Sequence, residues 1–85
     1  MAVILLPSLL AREAGGEGRF EIDAPTVRDA LRELPVRDLL FDERGELRPL
    51  VNVYVEREDI RAGNGIETAL SGGETIRVVA AIAGG

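Results

Sequence analysis

The chain has 85 residues, a formal net charge of −5 and 46% hydrophobic residues, with neither cysteine nor histidine. Those two absences exclude disulfides, thiolate metal sites, a cysteine nucleophile and the usual general base near neutral pH; self-contained catalysis is not expected, and a cytoplasmic setting is. The acid excess disfavours nucleic acid and anionic membranes as partners, and so short a chain makes one domain around a single core, an aliphatic one because Phe20, Phe41 and Tyr54 are its only aromatic residues.

The apolar opening over residues 2–11 lacks a basic leading segment and falls well short of the ~20 residues of a membrane span. Residues 3–6 read as a first strand covered on both faces, ended by Pro7 and running into a loop. Charges and Gly15, Gly16 and Gly18 make residues 11–18 a mobile turn. Alternation of polar and apolar positions over 19–23 then predicts a second strand, hairpinned to the first.

A helix start follows at Pro25 and Thr26, with Thr26 as cap and Asp29 at the reciprocal position, suited to the helix dipole. Val27, Ala30, Leu31 and Leu34 form one stripe at i, i+3, i+4 and i+7, and Pro35 stops the helix at Leu34. Residues 36–41 read as a short helical turn that tucks Leu39, Leu40 or Phe41 beneath a sheet. A charged loop around Gly45 leads to a third strand, in which Val51, Val53 and Val55 share a face. Residues 56–59 form an acidic turn, and Ile60 and Arg61 support a very short fourth strand. Residues 62–70 hold a turn of helix with Ile66, Ala69 and Leu70 pointing inward. After the turn at residues 71–74, the β-branched run 75–79 is the last strand. First and last strands side by side would be parallel, giving an α+β roll.

Side-chain chemistry is scarce. Gly63-Asn64-Gly65 lacks the lysine and the strand-to-helix setting of a phosphate loop and reads as a turn. Glu56, Glu58 and Asp59 lack the spaced oxygens of a calcium loop and read as solvated surface, so no metal is expected. Ser8 and Ser71 have no histidine to activate them. The remaining chemical handle is the carboxyl terminus of Gly84-Gly85.

Pro25-Thr26-Val27-Arg28-Asp29-Ala30-Leu31, then Val51-Asn52-Val53-Tyr54-Val55 with Glu58-Asp59-Ile60-Arg61, and finally Ala80-Ala81-Ile82-Ala83-Gly84-Gly85 together resemble the ubiquitin-like sulfur carriers. That family includes the small subunit of molybdopterin synthase, the thiamine-pathway carrier and the carrier serving a cysteine synthase. The resemblance covers nearly the whole chain. It implies a β-grasp roll: a mixed sheet of four to five strands with one main helix on one face, the domain occupying 1–79 and a flexible tail 80–85. Two departures stand out, Glu56-Arg57 where relatives often carry Asn or Gly, and Ala81 where many place a proline.

The resemblance also implies the chemistry. An ATP- and Mg-using adenylating enzyme of the ubiquitin-activating type makes an acyl-adenylate at Gly85. Sulfur from a donor enzyme displaces AMP, and the thiocarboxylate is spent in an acceptor synthase, of cysteine-synthase type or the molybdopterin synthase large subunit. No cofactor is held by the chain itself. Glycine at both terminal positions lets the tail thread a narrow channel, and six residues from Ala80 reach about 20 Å. Ala80, Ala81, Ile82 and Ala83 are expected to be gripped by the partner as an added strand. Leu50, Val53, Tyr54 and Ile60, rimmed by Arg48 and Arg61, are a candidate docking patch. Two other functions share the same tail: a protein modifier joined through Gly85 to target lysines, and an inert interaction module.

Overall fold

A computed structural model describes residues 1–80. Strands β1 (Ala2–Leu5) and β2 (Arg19–Ile22) pair antiparallel, with Ala2 opposite Ile22 and Leu5 opposite Arg19. Between them lies a helix where a loop was expected: α1 (Ser8–Glu13), which buries Leu10. Pro7 is extended and stands at its N-cap, where a missing N–H costs nothing. Gly15 and Gly16, with φ of 77° and 94°, close its C-terminus, and Gly16 N donates to Ala11 O at 2.8 Å. These glycines stop a helix and do not mark a mobile turn.

The second helix begins as the sequence predicts. In α2 (Val27–Arg32) the Asp29 N–H donates to Thr26 Oγ1 at 3.2 Å, and Val27, Ala30 and Leu31 are buried on the predicted stripe. The helix is shorter than its apolar pattern: Leu34 is 1% exposed yet lies past the last helical turn. A third helix, α3 (Arg37–Leu40), buries Leu40, with Phe41 buried just beyond and Leu39 left outside. The single main helix of the expected roll is therefore accompanied by two others of six and four residues.

Strands β3 (Val51–Val55), β4 (Glu58–Asp59) and β5 (Thr75–Ala80) complete a five-stranded sheet in the order β2-β1-β5-β3-β4. Only the central pair, β1 with β5, is parallel. The fourth strand falls two residues earlier than expected, because the Asp59 carboxylate accepts the Arg61 N–H at 2.9 Å and turns Ile60–Ala62 into a 3₁₀ turn. A second 3₁₀ turn, Gly65–Glu67, is the helical turn expected in that loop. Ile66 and Leu70 pack against the core, whereas Ala69 is exposed because its segment bridges to Thr26 at the rim of α2.

The core lies between one sheet face and the helices. Ile4, Leu31, Leu34, Leu40, Val27, Val53, Ile76 and Val78 are all essentially inaccessible, and each contributes on the order of 1.5–3 kcal/mol through burial. Arg28 staples the loops over α2: its Nε and Nη2 donate to Glu67 Oε2 at 3.0 and 2.7 Å, and its Nη1 to Gly45 O at 3.0 Å. No helix among the described residues is long and apolar enough to cross a membrane.

Candidate functional site: the end of the central strand

The β3–β5 ladder runs from Val55 opposite Ile76 to Val51 opposite Ala80. Ala80, expected in the tail, is thus paired within β5, close to α1 and α3. A groove of about 530 Å³ opens there. α1 supplies Leu9 and Leu10, α3 supplies Leu39, the approach to β3 supplies Pro49 and Leu50, and β5 supplies Ala80. Leu9, Leu39 and Leu50 are 44%, 46% and 57% exposed, three of the five large hydrophobic residues on the described surface. Their concentration at one spot makes a patch, where single exposed leucines would mean nothing.

Glu13 and Arg48 border this groove. Arg48 is set by the preceding loop, its N–H donating to Leu40 O at 2.8 Å and its Nη2 to Asp38 O at 3.2 Å. Within that loop Asp42 Oδ1 accepts the N–H groups of Glu46 and Arg44 at 3.0 and 2.9 Å. The Glu46 N–H, with the Arg44 N–H and the Arg44 and Arg48 charges, holds the Asp42 carboxyl below its ordinary range.

The expected docking patch is divided by the fold. Arg48 and Leu50 lie at the groove. Arg61 stands behind it, its Nη2 donating to Pro49 O and Val51 O, both at 3.3 Å. Val53 and Ile60 are 0% and 5% exposed and belong to the core, so neither serves docking. Tyr54 alternates with Val53 and faces the other side of the sheet, opposite Arg77 and Asp59 on neighbouring strands. Ala81, Ile82, Ala83, Gly84 and Gly85 lie outside the described residues. Leu9, Leu10 and Leu39 escaped sequence reasoning, since the first two sit in a helix read as a loop and Leu39 was a candidate for burial.

The acidic turn has internal duties. Glu56 Oε1 accepts the Thr75 N–H at 2.6 Å, and Asp59 caps its 3₁₀ turn. Among the described residues no three acids, histidines or cysteines gather as a metal site. The side chains offer anchoring and recognition, and the geometry converges on where β5 ends.

A β2-β1-β5-β3-β4 sheet with a parallel central pair, crossed by a short helix and ending in a strand that leads to Gly84-Gly85, defines the ubiquitin-like β-grasp class. The sequence matches the ThiS family over residues 4–85, and the chain belongs to that family. It is 28% identical to the sulfur carrier protein CysO of Mycobacterium tuberculosis, the match covering 96% of each chain. CysO in the crystal structure of the Amycolatopsis orientalis BexX/CysO complex is 30% identical, with a TM-score of 0.87 and complete coverage of both chains. SAMP1, a small archaeal modifier protein from Haloferax volcanii, is 26% identical with a TM-score of 0.78, covering 99% of this chain and 98% of its own. Sulfur carriers of the ThiS and CysO type are small carriers and not enzymes.

Proposed function

We propose that the chain is a sulfur carrier working through the terminal carboxyl of Gly85. A carboxylate oxygen of Gly85 attacks the α-phosphorus of ATP on a Mg-using adenylating enzyme, and pyrophosphate leaves. A sulfide equivalent from a sulfur donor enzyme then attacks the acyl carbon, AMP leaves, and a thiocarboxylate remains. An acceptor synthase, of cysteine-synthase type or the molybdopterin synthase large subunit, takes the sulfur. In the second case the chain would act as the synthase's small subunit. The cytoplasm is the proposed setting.

The observation that carries this reading is the Gly84-Gly85 ending of a ThiS-family chain, placed five residues beyond a strand anchored on both sides by β1 and β3. Five residues reach roughly 17 Å, enough to enter a partner's active site while the body stays outside. Intact-mass analysis of the chain isolated from its own cells tests it. An oxygen-to-sulfur gain localised to Gly85 supports the carrier, and its absence under sulfur demand refutes it. Likeness to SAMP1 favours a second reading, a protein modifier. Adducts of this chain on other proteins' lysines would identify that role.

A further inference from the structure

The apolar groove beside Ala80 is self-complementary in charge. We propose that it is the contact face of a weak two-fold homodimer, in which the groove of one copy lies against that of a second and Glu13 meets the partner's Arg48. The proposal rests on the sheet order and on the groove's own side chains, and is independent of the sulfur chemistry.

The sheet order sets the two lips of the groove apart. β5 lies between β1 and β3, so α1, which follows β1, forms one wall, and residues 48–50, which lead into β3, form the other with Leu39 of α3. Leu9 and Glu13 are four residues apart on α1 and share a face. Each wall therefore carries exposed leucine and one exposed charge, acidic on the α1 side and basic on the β3 side. The ion pairs among the described residues are Arg19 with Glu21 and Arg28 with Glu67, and neither Glu13 nor Arg48 takes part. Arg48 gives one nitrogen to Asp38 O, and its guanidinium has further donors for a carboxylate.

A two-fold axis running along the groove exchanges its walls. It lays the acidic lip of one copy over the basic lip of the other, twice over, and brings Leu9, Leu39 and Leu50 of both copies together; an axis across the groove would oppose like charges instead. The leucines, 44%, 46% and 57% exposed, then leave water. An acid on one lip and a base on the other match the same face turned over, and this is what selects a second copy as the occupant. The face is small: nine residues line the groove, against about 20–30 a side in a standard interface, so the dimer is weak and reversible. The net charge of −5 opposes association at long range but is screened over about 8 Å at physiological salt, whereas the two pairs act in contact.

Sedimentation equilibrium of the full chain, from about 10 µM to about 1 mM, tests the face. The mass is expected to rise toward that of two chains. Glu13→Arg and Arg48→Glu, each alone, are expected to weaken self-association about tenfold or more, because two attractions become two repulsions at once. An equal mixture of these two variants is expected to regain the parent's association, since a mixed pair restores both contacts. The first substitution makes the chain less negative and the second more so; a general charge effect would move them in opposite directions. Leu39→Asp is expected to abolish the dimer without touching either charged lip, and urea denaturation of the same samples establishes that each variant is folded. A chain that is monomeric at every concentration, as it would be were the groove reserved for another protein, overturns the proposal. So do single reversals without effect, a mixture no better than its components, a Leu39→Asp chain that still dimerises, or growth past two chains.

Discussion

Glu56 and Thr75 hold each other in both directions: the Thr75 N–H donates to Glu56 Oε1 at 2.6 Å, and the Glu56 N–H donates to Thr75 O at 3.0 Å. The bond to the side chain fixes a residue whose backbone is unfavourable for it, since Glu56 and its neighbour Arg57 have φ of 51° and 76°. Two consecutive left-handed residues make the tight turn that suits a hairpin's twist, and glycine or asparagine is usual there.

Arg57→Gly is therefore expected to stabilise the domain by about 0.5–1 kcal/mol, the relief of left-handed strain outweighing the added freedom of the unfolded chain. Glu56→Gly relieves similar strain but removes the acceptor for Thr75, so its effect is expected near zero. Urea denaturation of the two variants separates them, and equal gains would show that the Glu56 carboxylate contributes nothing.

Core and groove respond differently to truncation. Ile60→Ala is expected to cost about 2 kcal/mol or more, since Ile60 is buried. Leu50→Ala, at a site 57% exposed, is expected to stay within about 0.5 kcal/mol. Thermal unfolding checks both, and comparable losses would place Leu50 in the core.

Acid weakens the turn that joins the start of β5 to the N-terminus. The Ser71 N–H, helped by the Gly72 N–H and the Ser71 hydroxyl, holds the Glu74 carboxyl at about 2, below its ordinary 4.5. The fold prefers the ionised form, so this stabilisation is complete above pH 4.5 and is lost as pH falls toward about 2. Glu74→Gln is expected to lower the urea midpoint at neutral pH, with the difference from the parent shrinking through that window. An offset that does not change with pH would count against the assignment.

Deleting Gly85 is expected to leave the urea midpoint unchanged, because β5 ends at Ala80, while the sulfur mass gain disappears. Mass spectrometry and denaturation on one preparation read both outcomes. Persistent sulfur transfer after the deletion would sink the terminal mechanism.

Most of the strand order was legible because β-branched runs and glycine turns are local signals: the Thr26 cap, the Val51/Val53 face and the 75–79 run all read directly. What failed depended on competition between signals. Pro7 ends a strand and also stands at a helix N-cap, and Gly15-Gly16 mark loops and helix ends alike, so α1 was missed. Alternation along β3 separated Val53 from Tyr54 but not inside from outside, which only packing decides. The β-branched Ile60 reads as strand, but the cap that Asp59 gives the Arg61 N–H overrides that local preference. The groove combines α1, α3 and the end of β5, and such convergence has no signature in any one segment.

The parallel pairing of β1 with β5 sets the order of events during synthesis. The first strand made must wait for nearly the whole chain before its central neighbour exists, so the sheet closes late and the contacts that close it have high sequence separation. The segment bearing Gly85 follows that closing strand directly. A nascent or truncated chain lacking β5 has no completed sheet, and under the proposed carrier chemistry the display of Gly85 is coupled to completion of the fold.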